Sequence, residues 1–190
     1  MNLPNKLTII RIVMIPLFVA VYFLAEYIPY SYAISAGIFA LAAFTDFLDG
    51  YIARKYNLVT NLGKFLDPIA DKVLVAAALI IMLVKPNGGV EIMPIYGAIA
   101  VAIILARELI VSGFRMVAAA KGAVLAADWS GKVKTFVTDV AILMLLIVAE
   151  FAPMYSIANI IGLVLLGIAT LLTLYSGIEC IVKNKTVLKD

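Results

Sequence analysis

The sequence predicts an all-α integral membrane protein: six transmembrane helices in a single domain over residues 1–190, with N and C termini cytoplasmic. Three observations predict it. Apolar residue types make up 65% of the chain and the mean hydropathy is +1.11, whereas a soluble domain sits nearer half apolar. The apolar residues fall into six long segments separated by polar turns, each long enough to cross a hydrocarbon layer. The loop cations are also lopsided. Counting adjacent helix ends, Lys6, Arg11, Arg54, Lys55, Lys64, Lys121, Lys132, Lys134 and the C-terminal lysines share one side, and Lys85 stands alone on the other. By the positive-inside rule the crowded side, with both termini, is cytoplasmic.

Met1 to Lys6 is a polar lead-in with Pro4. The first span, about 7–27, carries Arg11 near its start and Pro16 inside, a residue expected to kink the helix or end its first turns. No A-x-A-like exit follows, so the segment reads as a span and not as a cleavable signal. A turn around Pro29 to Ser31 leads to the second span, about 32–55, and Asn57 to Gly63 reads as a polar turn. The third span, about 64–84, has Pro68 close to its start, where a missing backbone N–H is best tolerated. Pro-Asn-Gly-Gly marks a loop over Lys85 to Glu91. The fourth span, about 92–120, exceeds what a bilayer needs, so its far end is expected to project from the hydrocarbon. Lys121 to Gly131, with Trp129, reads as a loop or short helix. The fifth span, about 132–149, turns at Pro153 into the sixth, about 157–182, and a basic tail closes the chain.

Composition excludes several function classes. The chain has no His and one Cys, Cys180, which argues against a zinc site and against an intrachain disulfide. No tract suggests nucleic-acid recognition.

The chemistry concentrates in Asp46 to Asp71. An aspartate at mid-bilayer costs roughly 2.5–3.5 kcal/mol on insertion scales, so the four in this stretch, uncompensated, would cost on the order of 10 kcal/mol. Asp46 and Asp49 are i,i+3 on one helix, and Asp67 and Asp71 are i,i+4 on the next, so each pair shares a face. Two helices joined by a short turn are expected to pack antiparallel and bring the four carboxylates to one pocket. Such an all-oxygen cluster suits hard cations, Mg²⁺, Mn²⁺ or Ca²⁺. The plainer alternative is a set of buried ion pairs, Asp46 or Asp49 with Arg54 and Asp71 with Lys72. A cation transporter or proton relay is the competing class, but no polar path leads from Asp71 towards Lys85.

Asp46, Asp49, Gly50, Ala53, Arg54, Gly63, Asp67 and Asp71 fill the pattern D-x2-D-G-x2-A-R-x8-G-x3-D-x3-D. The chain thereby resembles the CDP-alcohol phosphotransferase family, whose six-helix fold would cover nearly its whole length. The resemblance implies transfer of a phosphatidyl or phosphoalcohol group from a CDP-linked donor to an alcohol, releasing CMP. It implies two divalent cations, Mg²⁺ or Mn²⁺, held by Asp46, Asp49, Asp67 and Asp71. It also implies donor binding along Asp49, Gly50, Ala53, Arg54 and Gly63, and Asp71 as general base.

A second polar group lies in the fourth and fifth spans. Arg107 and Arg115 are two turns apart, and G-K-V-K-T supplies Lys132, Lys134 and Thr135. These cations outnumber Glu108 and Asp139 and read as a phosphate pocket. The alternatives are pairing of Arg107 with Asp139 and snorkelling of Lys132 and Lys134. Thr8 and Arg11 are candidates to line the same cytoplasmic pocket, although Thr8 reads more simply as bonding back to its own helix. Asn2 to Phe18, Ala106 to Arg115 and Gly131 to Thr135 resemble the family's bacterial branch that makes phosphatidylglycerophosphate. That resemblance implies CDP-diacylglycerol as donor, sn-glycerol 3-phosphate as acceptor, the bacterial cytoplasmic membrane as location and a homodimer. Inositol phosphate and serine are the alternative acceptors.

Overall fold

The computed structural model describes residues 3–56, 61–85, 92–93, 95–121, 129–151 and 156–185; the side chains of Asp49, Ala53, Arg54 and Lys64 are outside that description. Every regular element among the described residues is a helix: α1 Leu3–Phe23, α2 Ser31–Lys55, α3 Asn61–Ile81, α4 Ile95–Ala120, α5 Trp129–Glu150 and α6 Ser156–Lys183. Three of them, over Asn5–Phe23, Gly97–Ala120 and Asn159–Lys183, are long and apolar enough to cross a membrane. Large apolar side chains such as Leu17, Leu41, Phe44, Ile99, Phe136 and Leu171 are more than half exposed. An outward apolar surface on a helical protein fits a lipid surround. The expected loops over Lys85 to Glu91 and Lys121 to Gly131 fall largely outside the described residues.

Several boundaries differ from the sequence expectation, each for a local reason. Helix α1 continues through Pro16. A proline costs one hydrogen bond in a helix interior but already holds the helical φ, and Pro16 sits on an exposed side. Helix α3 begins at Asn61, inside the expected polar turn, and so carries Pro68 in its second turn, again exposed. Helix α5 begins at Trp129, inside the stretch expected to be a loop or short helix. The first turn of α5 is tied to α6, where Ser130 Oγ donates to Glu179 Oε2 at 2.6 Å.

Packing sets the site. Helix α1 lies against both α2 and α3, while α2 and α3 meet each other in few places. The expected antiparallel α2–α3 pair is therefore spread around α1. On the other side α5 packs on α6 and α2, α4 packs on α6, and α3 meets α4 and α5 only sparsely. Phe18, Tyr22, Phe39, Leu74, Leu79, Met82, Leu145, Leu146 and Leu166 form the main core. Tyr22 stacks edge-on with Tyr32 at 5.3 Å and its hydroxyl donates to the Val84 carbonyl at 3.1 Å, joining the far ends of α1, α2 and α3.

Two contacts fix the angle of α5. Gly162 of α6 faces Leu145, where an added Cβ would stand 2.7 Å from Leu145 Cδ2, so the glycine permits the close approach. Helix α2 starts after Tyr30, which has φ 60° and gives no side-chain cap. Glu150 at the end of α5 supplies one instead, its Oε2 accepting from the backbone N–H of Tyr32 at 3.0 Å and of Ala33 at 3.4 Å. A carboxylate there meets orphan donors and the positive end of the helix dipole together.

Candidate active site

The carboxylates come from α2 and α3, and their partners from α1. Arg11 is fully buried, yet its guanidinium is satisfied: Nη1 pairs with Asp46 Oδ1 at 2.6 Å and Nε donates to the Ala42 carbonyl at 3.2 Å. Ala42 lies one turn before Asp46, and its small side chain leaves room for the arginine. Three residues before Arg11 on α1, Thr8 Oγ1 donates to Asp67 Oδ1 at 2.7 Å. This replaces the simpler reading of Thr8 as a back-bonding residue. Asp46 also feels the charges of Asp67 and Asp71. Asp67 and Asp71 lie on successive turns of α3, as their spacing requires. Asp49, Ala53 and Arg54 belong to α2 by backbone, Gly50 is half-buried there, and Gly63 is buried in the first turn of α3.

The donor set of Asp46, Asp67 and Asp71 is anionic and all oxygen, the chemistry a hard divalent ion takes. Each bond from α1 engages one oxygen of a two-oxygen carboxylate. Among the described residues no three carboxylates lie close enough to hold one ion, and the Asp49 side chain lies outside them. The fit is therefore one of donor chemistry.

Asp71 also faces the other way, into a cavity of ≈ 230 Å³ between α3, α4 and α5. Helix α3 lines it with Asp71, Lys72, Val75 and Ala76, α4 with Ile104, Leu105, Glu108 and Leu109, and α5 with Lys134, Thr135 and Thr138. Each set follows the i, i+1, i+4, i+5 spacing of one helix face. Lys72 Nζ donates to Ser112 Oγ, and Lys134 Nζ pairs with Glu108 Oε1. These links align the helices so that charged residues gather at one end and Val75, Ala76, Ile104 and Leu105 at the other.

The expected cations divide. Lys134 is buried and lines the cavity. Arg107 turns towards α6 instead: Nη2 donates to Ser176 Oγ at 2.8 Å, and Nη1 pairs with Glu108 Oε1 at 3.1 Å. Gly177 makes this possible, since a Cβ there would stand 2.9 Å from Arg107 Cγ. The alternative pairing with Asp139 is absent among the described residues, where Asp139 Oδ1 is buried without a partner. Arg115 and Lys132 are exposed, with Arg115 close enough to act on Lys72 and Arg107 through its charge. Thr135 half-faces the cavity while its hydroxyl bonds back to the Gly131 carbonyl at 3.1 Å.

Sequence reasoning missed Lys72 as a cavity residue, having treated it only as a counter-ion for Asp71. It also missed Ser112, although a hydroxyl one turn after Glu108 was a usable signal. Ser176 and Gly177 gave no local signal, because their partner lies 69 residues away for Ser176.

Comparison with known proteins agrees with the signature. Residues 1–175 match the family model described as CDP-alcohol phosphatidyltransferase. A protein of Bacillus subtilis (strain 168) named CDP-diacylglycerol–glycerol-3-phosphate 3-phosphatidyltransferase is 39% identical over 99% of this chain and 97% of its own length. Proteins of the same name from Rickettsia felis and Salmonella paratyphi A are 43% and 38% identical, covering 93% and 94% of this chain and 91% and 92% of their own lengths. With the eight-residue signature filled and the family matched over most of its length, this chain belongs to the CDP-alcohol phosphatidyltransferase family.

Proposed function

We propose that this protein transfers the phosphatidyl group of CDP-diacylglycerol to sn-glycerol 3-phosphate, giving phosphatidylglycerophosphate and CMP. The observation that carries the reading is near full-length identity of 38–43% to relatives named for that reaction. The site supports it independently. A phosphorylated acceptor needs cations beside the base that activates it, and Lys72 and Lys134 share a cavity with Asp71.

In this reading residues 1–190 form one membrane domain with six spans, both termini in the cytoplasm and the site at the cytoplasmic face of a bacterial membrane. The charge asymmetry of the loops supports that orientation. A homodimer is part of the proposal by family resemblance. Asp46, Asp49, Asp67 and Asp71 would hold two divalent cations, Mg²⁺ or Mn²⁺, which supply charge neutralisation at the departing CMP phosphate. Gly50, Ala53, Arg54 and Gly63 lie along the donor's cytidine diphosphate. Lys134 grips the acceptor phosphate, with Lys72 beside it and Arg107, Arg115 and Lys132 adding to the positive field. Asp71 takes the proton of the acceptor's distal hydroxyl. The freed oxygen forms a bond to the lipid-linked phosphorus as the bond from that phosphorus to CMP breaks. Thr8 and Arg11 keep Asp67 and Asp46 in place, and Thr135 lines the acceptor side.

The test is CMP release by the purified protein with CDP-diacylglycerol and Mg²⁺ or Mn²⁺, offering glycerol 3-phosphate, inositol phosphate or serine singly. Release with glycerol 3-phosphate alone, stopped by EDTA, is expected. Release with another acceptor would keep the chemistry and overturn the acceptor. Folded protein that releases no CMP with any of them would overturn the reading and bring an ion-carrying role forward.

A further inference from the structure

Four charged side chains line the cavity: Lys72 and Lys134 are cationic, Asp71 and Glu108 anionic. Lys134 is thus matched by Glu108 before any guest arrives. That pairing has a physical reason, since an unpaired ammonium within a membrane-spanning bundle is costly. A phosphate monoester carries close to two negative charges at neutral pH. At Lys134 it meets a carboxylate already paired with that lysine, that of Glu108, and the two anions repel each other there.

Glu108 has somewhere to go. Its Oε1 already pairs with Arg107 Nη1 at 3.1 Å. Arg107 is anchored on α6 through Ser176, and its Nε is buried with no hydrogen-bond partner among the described residues. The Nε–H shares its edge with Nη2, which Ser176 holds, but across the end of the guanidinium Nη1 and the second Nη2 hydrogen offer two parallel donors to one carboxylate. Arg107 therefore provides a ready alternative for the Glu108 carboxylate when Lys134 is taken. Resting on the reading of the cavity as the acceptor-phosphate site, we infer that Glu108 is an internal counter-anion: it holds Lys134 in the empty cavity and yields it, moving wholly onto Arg107, when the acceptor's phosphate binds. Glu108 is a positioning residue in this scheme, and it sets how tightly the cavity takes an anion.

Binding of inorganic phosphate and of glycerol 3-phosphate would be titrated calorimetrically with purified wild type, Glu108→Gln, Glu108→Asp and Glu108→Gln/Lys134→Met. Removing the competing charge should tighten both ligands about threefold to tenfold in Glu108→Gln. The KM for glycerol 3-phosphate should fall with it, while the KM for CDP-diacylglycerol stays within about twofold. Glu108→Asp, which keeps the charge, should bind as wild type does, and the double variant should lose the gain. Unchanged or weaker phosphate binding by folded Glu108→Gln would overturn the inference. A second measurement needs no Glu108 variant: the infrared difference spectrum of wild type on adding inorganic phosphate. A shifted carboxylate stretch that Lys134→Met lacks is expected, and no carboxylate change would overturn the inference. Tighter phosphate binding without CMP release in any variant would leave the counter-anion standing and sink the transferase reading. CMP release with no change in phosphate affinity would do the reverse.

Discussion

Around Asp46 and Asp67 the compensating charge comes from a neighbouring helix. Arg11 and Thr8 of α1, one turn apart, reach one carboxylate on α2 and one on α3. Around Lys134 the compensation comes from the cavity's own wall, through Glu108, itself held by Arg107. The first arrangement holds one oxygen of each carboxylate from α1. The second cancels the cation inside the cavity. In the proposed function the first holds divalent cations and the second exchanges one anion for another. The largest expected effect tests the first. Asp67→Asn should lower CMP release about a thousandfold or more, since a carboxylate of the proposed metal-holding group has no substitute in the site. Size-exclusion elution and helical circular dichroism should stay those of wild type. Retained turnover would break the comparison at its anionic end.

A middle-sized effect separates residues within the cationic end. Lys134→Met should raise the KM for glycerol 3-phosphate about 10- to 100-fold, because it removes the buried cation proposed to hold the phosphate. Arg115→Ala should raise it only about threefold, since the exposed guanidinium acts through solvent. In both variants the KM for CDP-diacylglycerol should move less than that for glycerol 3-phosphate. Initial rates with each substrate varied in turn measure this, and equal effects of Lys134→Met and Arg115→Ala would argue that the phosphate sits outside the cavity.

The two ends were unequally legible in the sequence. Fixed spacing on a helix determines which residues share a face, so Asp46 with Asp49 and Asp67 with Asp71 could be read without coordinates. The six helices were legible for the same reason, as long apolar runs. What closes the charge at each end was not legible. Thr8 and Asp67 are 59 residues apart, and Arg107 and Ser176 are 69 apart. Such pairings depend on which helix inserts between which, and α1 between α2 and α3 was not foreseeable from a short connecting turn. At the cationic end, counting residues predicted more cations than acids, where the cavity wall holds two of each. It gave no way to tell that Lys134 faces inward and Lys132, two residues away and so on another side of the helix, faces out.

Two threonines give the smallest and sharpest contrast. Thr8 and Thr135 both sit in the first turns of helices beside the site and look alike in sequence. Thr8 donates to a carboxylate on another helix, while the Thr135 hydroxyl bonds to the Gly131 carbonyl of its own helix. A hydrogen bond to a charged group contributes about 1.5–3 kcal/mol, and a back-bond to the helix contributes little or weakly opposes it. Valine keeps the shape of threonine and removes only the hydroxyl. Thr8→Val should therefore lower both thermal stability in detergent and turnover, the latter about tenfold, because Asp67 loses the donor that orients it. Thr135→Val should leave stability within about 0.5 kcal/mol and turnover within about twofold. Thermal melts and CMP release from the two variants, side by side, decide it. If Thr135→Val proved the more damaging, its hydroxyl must leave Gly131 for the acceptor during the reaction, and the cavity would depend on an exchange of hydrogen-bond partners as well as of charges.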